Sequence, residues 1–427
     1  MSEKICVTTL GCAKNIVDSE KLIASLGTKF TISENPNETD YLIINTCGFI
    51  ASSILENTDY INSAIKLKEA GKIKKIFVVG CLVERLSGEF AKRFPAVDGF
   101  YGVDFLEKLP KVFNSEFYEL VGERYLLTPS HYAYLKISDG CEHNCAFCSI
   151  PSFKGGFRSE PIPDLIEEAK RLVDKGVKEL ILIAQDTTSY GVDLYGHQAL
   201  NELLIELDKI EGLRWIRLMY TFPRNFPVEI LDTIRQSDKI VKYIDIPIQH
   251  ISTKILKKMG RGMDKEATIE LLNTIRKKVP GIAIRTTIIV GFPGETESEF
   301  EELINFVEQF KFERLGVFEY SSEPGTPAYV YGDPIPAEVK RRRFEELMLV
   351  QQKISKKKNQ QLLRKTLEVI VDEVTNNDAL CRTQFDAPEI DNLVHLSNAK
   401  VKRGDILQVK ITHTDAYDLF AKTLKIK

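Results

Sequence analysis

The sequence predicts an α/β protein in three parts: an amino-terminal domain built on a parallel βαβ sheet, a central partial (β/α)6 barrel, and a small carboxy-terminal β-barrel of the oligonucleotide-binding type. Three observations carry this. Apolar strand-like runs alternate with helical stretches over residues 4–80, and the alternation resumes over 133–320. Strands alternating with helices imply right-handed crossovers and a parallel sheet. Beyond about residue 361 short strand-like runs separated by turn residues take over. The expected boundaries are 1–115, 127–357 and 360–427.

In the first part, residues 4–10, 41–45 and 75–80 read as strands, with helices over 16–26 and about 49–70. Ile54, Ile61 and Ile65 fall at helical spacing in the second helix. A cysteine follows each strand, in Gly11-Cys12, Thr46-Cys47 and Gly80-Cys81. Ligand sites in open parallel sheets form at the carboxyl ends of strands. Cys12, Cys47 and Cys81 are therefore expected to meet at one edge of one sheet. The alternative is three unrelated buried cysteines. Cys6 lies inside its strand and reads as core.

Residues 104–130, with Pro110 and Pro129, read as a connection. In the second part the expected strands are 133–137, 179–184, 214–219, 243–248, 283–290 and 314–320. Helices are expected over 163–175, 199–210, 226–236, 265–279 and 296–310. Six strand–helix units fall short of the eight of a full barrel and suit an open one. Its mouth receives Gln185-Asp186 after the second strand, Gln249-His250 after the fourth, and Gly291 to Glu295 after the fifth. Glycines there permit close backbone approach, and polar groups can orient a ligand. His250 reads as a loop histidine rather than a ligand or base.

The first strand of this part runs into Cys141-Glu142-His143-Asn144-Cys145-Ala146-Phe147-Cys148. Spacings of four and three can bring the sulfurs into one small volume, and thiolates so gathered point to a metal. Structural zinc wants four protein ligands, and the nearest other cysteines, Cys81 and Cys381, are distant in sequence. An iron–sulfur cube held by three cysteines leaves one iron open to a substrate or cofactor. Phe147 is placed to lie against a flat cofactor. A zinc knuckle or three buried structural cysteines is the alternative.

Residues 336–365 read as a basic helix or helix pair, with ten basic and three acidic residues. Such runs are usually a solvated face; contact with ribosomal RNA is compatible but not required. In the third part strands are expected over 367–371, 393–396, 406–411 and 419–426. Ten acidic and ten basic residues cancel from 361 onward, and the Asp386 to Asp391 loop is acidic. A nucleic-acid module should show a basic face. The whole chain, 427 residues with a net charge of −3, has no global field for nucleic acid. No run approaches the ~18 apolar residues of a membrane span, and no secretory leader is visible. Eight cysteines are too few for a disulfide scaffold; reduced, metal-binding cysteines suit a cytoplasmic protein.

The motifs together resemble the radical S-adenosylmethionine (SAM) methylthiotransferases, over the whole chain. Cys141 to Cys148, with an aromatic residue before the last cysteine, resembles the radical SAM superfamily. Thr9 to Asn15, Asn45 to Phe49 and Gly80 to Leu82 resemble the three cysteine motifs of the family's amino-terminal domain, and the carboxy-terminal barrel resembles a TRAM domain. The resemblance implies two 4Fe-4S clusters. One, on Cys141, Cys145 and Cys148, would bind SAM at its open iron; the other, on Cys12, Cys47 and Cys81, would present sulfur or methylthiolate. SAM would serve both as radical source and as methyl donor, and an electron donor is an implied partner. Phe147 is expected against adenine. Gln185, Asp186 and Gln249 are expected at the amino-acid or ribose end of SAM, and Arg158 on its carboxylate. Radical SAM enzymes often end their second strand in Gly-Gly-Glu; Ala184-Gln185-Asp186 stands here, so those contacts are expected to be redistributed. No side chain is assigned as a general base.

Within the family one branch modifies an adenosine of transfer RNA and the other the β-carbon of an aspartate in small-subunit ribosomal protein S-twelve. Ala184 to Gly191, Tyr243 to His250 and Asp386 to Asp391 resemble the ribosomal-protein branch. The Asp386, Glu389 and Asp391 loop would offer a basic ribosomal protein complementary charge through the TRAM domain. A transfer-RNA enzyme and a non-catalytic iron–sulfur scaffold on the ribosome are the alternatives. Electron carriers normally close their clusters with four ligands. Cys381 stands where the family usually has glycine, which puts the turn there in question.

Overall fold

The structure, a computed structural model, describes residues 3–113 and 123–424. Three expectations run past those limits: the domain boundary at 115, the middle of the 104–130 connection and the end of the 419–426 strand lie outside the described residues.

The first part contains β1 (Lys4–Thr9), α1 (Ala13–Leu26), β2 (Thr31–Ile32), β3 (Tyr41–Thr46), α2 (Ala51–Glu69), β4 (Lys75–Gly80), α3 (Cys81–Arg93), β5 (Gly99–Tyr101) and α4 (Phe105–Val112). Its five strands run parallel in the order β2-β1-β3-β4-β5. The short edge strands β2 and β5 carry too few residues to show a period. Helix α4 corrects the reading of 104–130 as connection throughout. Pro110 removes one helical N–H, yet the turn persists because Phe105, Leu109 and the following Phe113 bury one face with Ile5, Leu22 and Phe77.

The second part contains β6 (Tyr132–Lys136), β7 (Ser138–Asp139), α5 (Ile150–Lys154), β8 (Arg158–Ser159), α6 (Ile162–Asp174), β9 (Glu179–Ile183), α7 (Val192–Tyr195), α8 (Leu200–Asp208), β10 (Trp215–Leu218) and α9 (Ile230–Gln236). It continues with β11 (Ile240–Asp245), α10 (Thr253–Lys258), α11 (Lys265–Lys278), β12 (Ala283–Val290), α12 (Glu297–Phe310), β13 (Arg314–Glu319) and α13 (Ala337–Gln360). Six parallel strands form an open sheet in sequence order, β6-β9-β10-β11-β12-β13. The fourth strand lies at 240–245, not 243–248. Pro247 has no N–H for a ladder: Ile246 N donates to Arg285 O at 2.9 Å, and pairing resumes only as an isolated bridge at Gln249, whose N donates to Thr287 O at 2.9 Å.

The convex face of this sheet packs against its helices in one large core that includes Leu165, Leu203, Leu272 and Leu303. The concave face presents Tyr134, Ile181, Trp215 and Tyr243. Both neighbouring parts fill it, α1 with Ile16 and Val17 and the third part with Ile370, Phe385 and Ala387. Helix α1 is also tied to the barrel by charge. Asp18 pairs with Lys136, and Glu20 with the fully buried Arg124, which donates to Glu168 at 2.9 Å.

The third part is a closed barrel of β14 (Thr366–Thr375), β15 (Asp378–Thr383), β16 (Val394–Leu396), β17 (Ile406–Thr414) and β18 (Leu419–Thr423). Strand β15 was not anticipated. Asn376 with φ +56° turns the chain from β14 into it, a residue type that tolerates the left-handed region. Cys381 sits inside β15, paired with Val371 and Val394 and fully buried, so no turn falls there.

The Asp386 to Asp391 loop is corrected from a docking surface to an interdomain latch. Asp386 accepts from Arg314 Nε at 2.8 Å, and Asp391 accepts from Tyr243 Oη at 2.7 Å and lies 3.4 Å from Arg285. Arg285 and Arg314 are largely buried and need these partners; only Glu389 and Ile390 of the loop remain exposed. Beside it, buried Glu179 accepts from Arg217 and Arg382, both at 2.7 Å, and Arg382 also pairs with Asp372. Helix α13 is a single helix, and its basic run is only partly solvated. Lys340 and Arg343 are buried: Lys340 donates to Tyr320 O at 3.0 Å, and Arg343 lies 3.3 Å from Glu295. Among the described residues no helix is long and apolar enough to cross a membrane.

Candidate functional site

Parallel register sets the first triad. Thr9 is level with Asn45, and Thr46 with Gly80, so three strand ends deliver cysteines at one height. Cys12 is the N-cap of α1 and Cys81 is the first residue of α3, positions where the helix dipole favours a thiolate. The turns leave no room for side chains. Gly11 has φ +117°, and a Cβ there would lie 2.7 Å from Cys47 Cβ. Gly80 has φ +96°, and a Cβ there would lie 2.5 Å from Asn45 Oδ1. Asn15 and Asn45 brace the edge: Asn15 donates to Thr46 O at 3.0 Å, and Asn45 to Asn15 O at 3.0 Å and to Ser19 Oγ at 3.0 Å.

The second triad lies on one loop pinned by backbone bonds. Cys141 N donates to Gly155 O at 3.3 Å, Ala146 N to Met259 O at 2.8 Å, and Ala328 N to Ala146 O at 2.7 Å. A Cβ on Gly260 would come within 2.4 Å of Asn144 O. Here too only glycine lets the supporting segment approach.

Both triads line one cavity of about 360 Å³ between the first and second parts. The sequence gives each triad a place at its own sheet edge; that the two edges face each other is a finding of the structure. Among the described residues no group of three His, Cys, Asp or Glu side chains could hold a single metal ion. Burial pushes the Cys81 and Cys148 thiols up to about 12 and Cys141 up to about 11. Metal binding must displace those protons, and cations stand ready to offset the resulting charge. Arg261 Nη1 lies 3.3 Å from Cys145 Sγ, while Lys14 and Lys154 act electrostatically on Cys47 and Cys81 respectively. Burial opposes the charge on Lys14, but Tyr220, Cys12 and Asp139 outweigh it and raise its pKa. The donor set and the charges fit iron–sulfur ligation.

Phe147, Gln185 and Gln249 line this cavity. Gln249 holds φ +70°, and its Oε1, like that of Gln185, is buried without a protein partner. Two orphaned acceptors beside an aromatic ring suit the ammonium and hydroxyl groups of SAM. Asp186 does not line the cavity. It lies beneath His143, accepting from His143 Nε2 at 2.7 Å and Ser189 Oγ at 2.5 Å. Burial works against its charge, but those bonds hold its carboxyl below the usual range. Its place is to orient His143, which stacks on Phe222 at 3.7 Å between ring centres and does face the cavity. Arg158 is also corrected: on β8, paired with β7, it is exposed and away from the cavity lining. The cation beside the Cys141 triad is instead Arg261, stacked 4.1 Å from the Phe222 ring. His250 is fully buried and outside the lining; burial lowers its pKa to about 3. Cys6 is core, as expected.

The sequence reading missed Lys14, His143, Lys154, Phe222 and Arg261. Arg261 had a signal, since it stands between Gly260 and Gly262, both at positive φ. Lys14 lies two residues from Cys12, inside a motif already singled out. Phe222 follows the third strand, at the same carboxyl-end rim as Gln185 and Gln249.

Three segments match known families: residues 4–102 an uncharacterized protein family, UPF0004; residues 135–307 the Radical SAM superfamily; residues 365–424 the TRAM domain. The chain is 46% identical to the ribosomal protein uS12 methylthiotransferase RimO of Chlorobium phaeobacteroides, covering 99% of this chain and 96% of that one. It is 44% identical to the protein of the same name from Aquifex aeolicus, covering 97% and 96%. Its fold is similar to that of the radical S-adenosylmethionine methyltransferase TsrM from Kitasatospora setae, with a TM-score of 0.55, 15% identity and 77% of each chain covered.

Proposed function

The chain belongs to the ribosomal protein uS12 methylthiotransferase family, and from that premise we propose that its shared cavity methylthiolates uS12 at the β-carbon of an aspartate. The protein is a radical SAM methylthiotransferase that uses an iron–sulfur cluster and SAM. The finer reading has two 4Fe-4S clusters, one on Cys141, Cys145 and Cys148 and one on Cys12, Cys47 and Cys81. When bound, the clusters and SAM supply reductive cleavage, hydrogen abstraction, sulfur and a methyl group.

The chain's own residues hold and shield. Gln185 and Gln249 offer acceptors to the polar end of SAM, and Phe147 a ring to its adenine. Asp186 fixes His143 against Phe222, and Arg261 offsets charge on the Cys145 thiolate. Functional division at 1–115, 127–357 and 360–427 is supported by the three separately matched segments. The carboxy-terminal domain is proposed to contact uS12 through its outer face, since Arg285 and Arg314 occupy its inward loop. An electron donor and a cytoplasmic location complete the reading; contact of α13 with ribosomal RNA is compatible with its exposed Arg341 and Arg342.

One observation carries the proposal: two triads of thiols with no fourth cysteine between them line one cavity. The test is anaerobic incubation of the reconstituted enzyme with SAM, a reductant and either purified uS12 or transfer RNA, followed by mass spectrometry of both. A methylthio group on uS12 alone is expected; one on the RNA alone overturns the substrate.

A further inference from the structure

Three cations line the cavity: Lys14, Lys154 and Arg261. Two are held by other groups, Lys154 by carboxylates and Arg261 by a thiol, a carbonyl and a ring, although Arg261 Nε is left without a partner among the described residues. Lys154 Nζ lies 3.0 Å from Asp139 and 4.0 Å from Asp18. Arg261 donates to Cys145 Sγ at 3.3 Å and to Pro247 O at 2.5 Å, with its guanidinium over Phe222. Lys14 differs. It is 8% exposed, and its Nζ donates to Ala184 O at 3.1 Å and lies 3.5 Å from the centre of the Tyr220 ring. Among the described residues no carboxylate pairs with it. An ammonium has three donors, so at least one is left for a ligand. A buried cation without a carboxylate partner is unusual in a finished structure.

Its position gives the vacancy a meaning. Lys14 leaves the helix that Cys12 caps and reaches the carboxyl end of β9, so its ammonium bridges the cavity between the two triads' domains. A carbon that loses hydrogen at one triad and gains sulfur from the other must lie between them. In an aspartate that carbon bears the carboxylate directly, so a group that fixes the carboxylate fixes the carbon. We propose that the Lys14 ammonium binds the carboxylate of the aspartate being modified and makes the site select an acid over its amide. This rests on the proposed methylthiolation of uS12. The same chemistry could serve the carboxylate of SAM. Proximity to Cys12 rather than to the Cys141 loop favours the substrate, and the experiment separates the two.

The test uses the reconstituted full chain without reductant, so that nothing turns over. Fluorescently labelled uS12, and uS12 with the target aspartate changed to asparagine, are titrated by anisotropy; SAM affinity and iron content are measured on the same preparations. Wild-type enzyme is expected to prefer the aspartate form by about tenfold. Iron-loaded Lys14→Met should bind both forms with the affinity wild type shows for asparagine, with SAM affinity unchanged, and Lys14→Arg should restore part of the preference. A Lys14→Met enzyme that still prefers aspartate overturns the proposal. So does loss of SAM affinity with the preference intact, which would assign the cation to the cofactor. If Lys14→Met fails to load iron, wild type and Lys14→Arg decide: no preference in wild type, or none in a loaded Lys14→Arg, overturns it. A wild-type enzyme that neither binds nor modifies uS12 would sink the broader function; one that modifies uS12 without the preference sinks only the role of Lys14.

Discussion

Two sets of three cysteines face one cavity, and they are built in opposite ways. Cys141, Cys145 and Cys148 share an eight-residue loop, pinned by backbone bonds to Gly155, Met259 and Ala328. Cys12, Cys47 and Cys81 come from three strand ends, and only the register of β1, β3 and β4 brings them level. The local triad needs one loop to be right; the distributed one needs a sheet, two glycine turns and the Asn15–Asn45 brace. Equal sets of thiols therefore differ in fragility, and damage to the sheet should reach one triad before the other.

The largest expected effect comes from removing ligands. Wild type should load about eight irons, and replacing either triad by alanine should leave about four. Only loss of Cys141, Cys145 and Cys148 should abolish SAM cleavage to 5′-deoxyadenosine. Cys6→Ala or Cys381→Ala should keep all the iron; a loss there would show that the ligand assignment is wrong.

A sharper probe leaves every cysteine in place. In Gly48→Ala the new Cβ would lie 2.9 Å from Leu82 Cα and 3.0 Å from Cys81 O, contacts with backbone that cannot swing aside. Iron analysis should show about half the wild-type content, with SAM cleavage surviving. Equal loss from both sites would mean that the two triads are not independent structures.

The third effect falls on the opposite end of the barrel strands. Arg382→Met leaves buried Glu179 and Asp372 short of a partner and should cost about 3–5 kcal/mol in urea unfolding. Because the pairs are buried, added salt should change this little. Glu389→Gln, on the exposed part of the neighbouring Asp386 to Asp391 loop, should stay within about 0.5 kcal/mol. Deleting the barrel would uncover the concave face that Ile370, Phe385 and Ala387 fill. Loss of solubility should then precede any loss of substrate binding.

The smallest effect is a pH dependence. His250 is neutral in the fold, its Nδ1 accepting from Ser252 N at 3.0 Å and its pKa lowered by burial to about 3. Below its ordinary value of about 6.5 the unfolded chain takes up a proton that the folded chain refuses. Stability should therefore fall as pH drops from about 6.5 toward 3, and His250→Gln should remove one proton's share of that slope in urea midpoints. An unchanged slope would mean that His250 already titrates normally.

How much of this was legible follows the same contrast. Cys141 to Cys148 could be read from spacing alone. The other triad became legible once strands alternating with helices implied a parallel sheet, because strand ends then share an address. Charged residues misled where their partners lie far off in sequence. Asp386 and Asp391 looked like a solvent-facing acidic loop, but Arg285 and Arg314 lie about 70 to 110 residues away and draw them inward. Arg158 was expected on the SAM carboxylate from its position in the chain, yet the β7–β8 pairing leaves it exposed. Lys14 lies inside the Cys12 motif, but its reach across the domain boundary to Ala184 O depends on a partner 170 residues away.

The shared cavity is tested most directly by the magnetism of the reduced enzyme. Electron paramagnetic resonance spectra would be recorded for wild type and for each triple-alanine variant, all reconstituted and reduced alike. If both clusters face one cavity, their spins couple: the wild-type spectrum should be broadened and its relaxation faster than the sum of the two variant spectra. A wild-type spectrum equal to that sum would contradict the single site on which the proposed function rests.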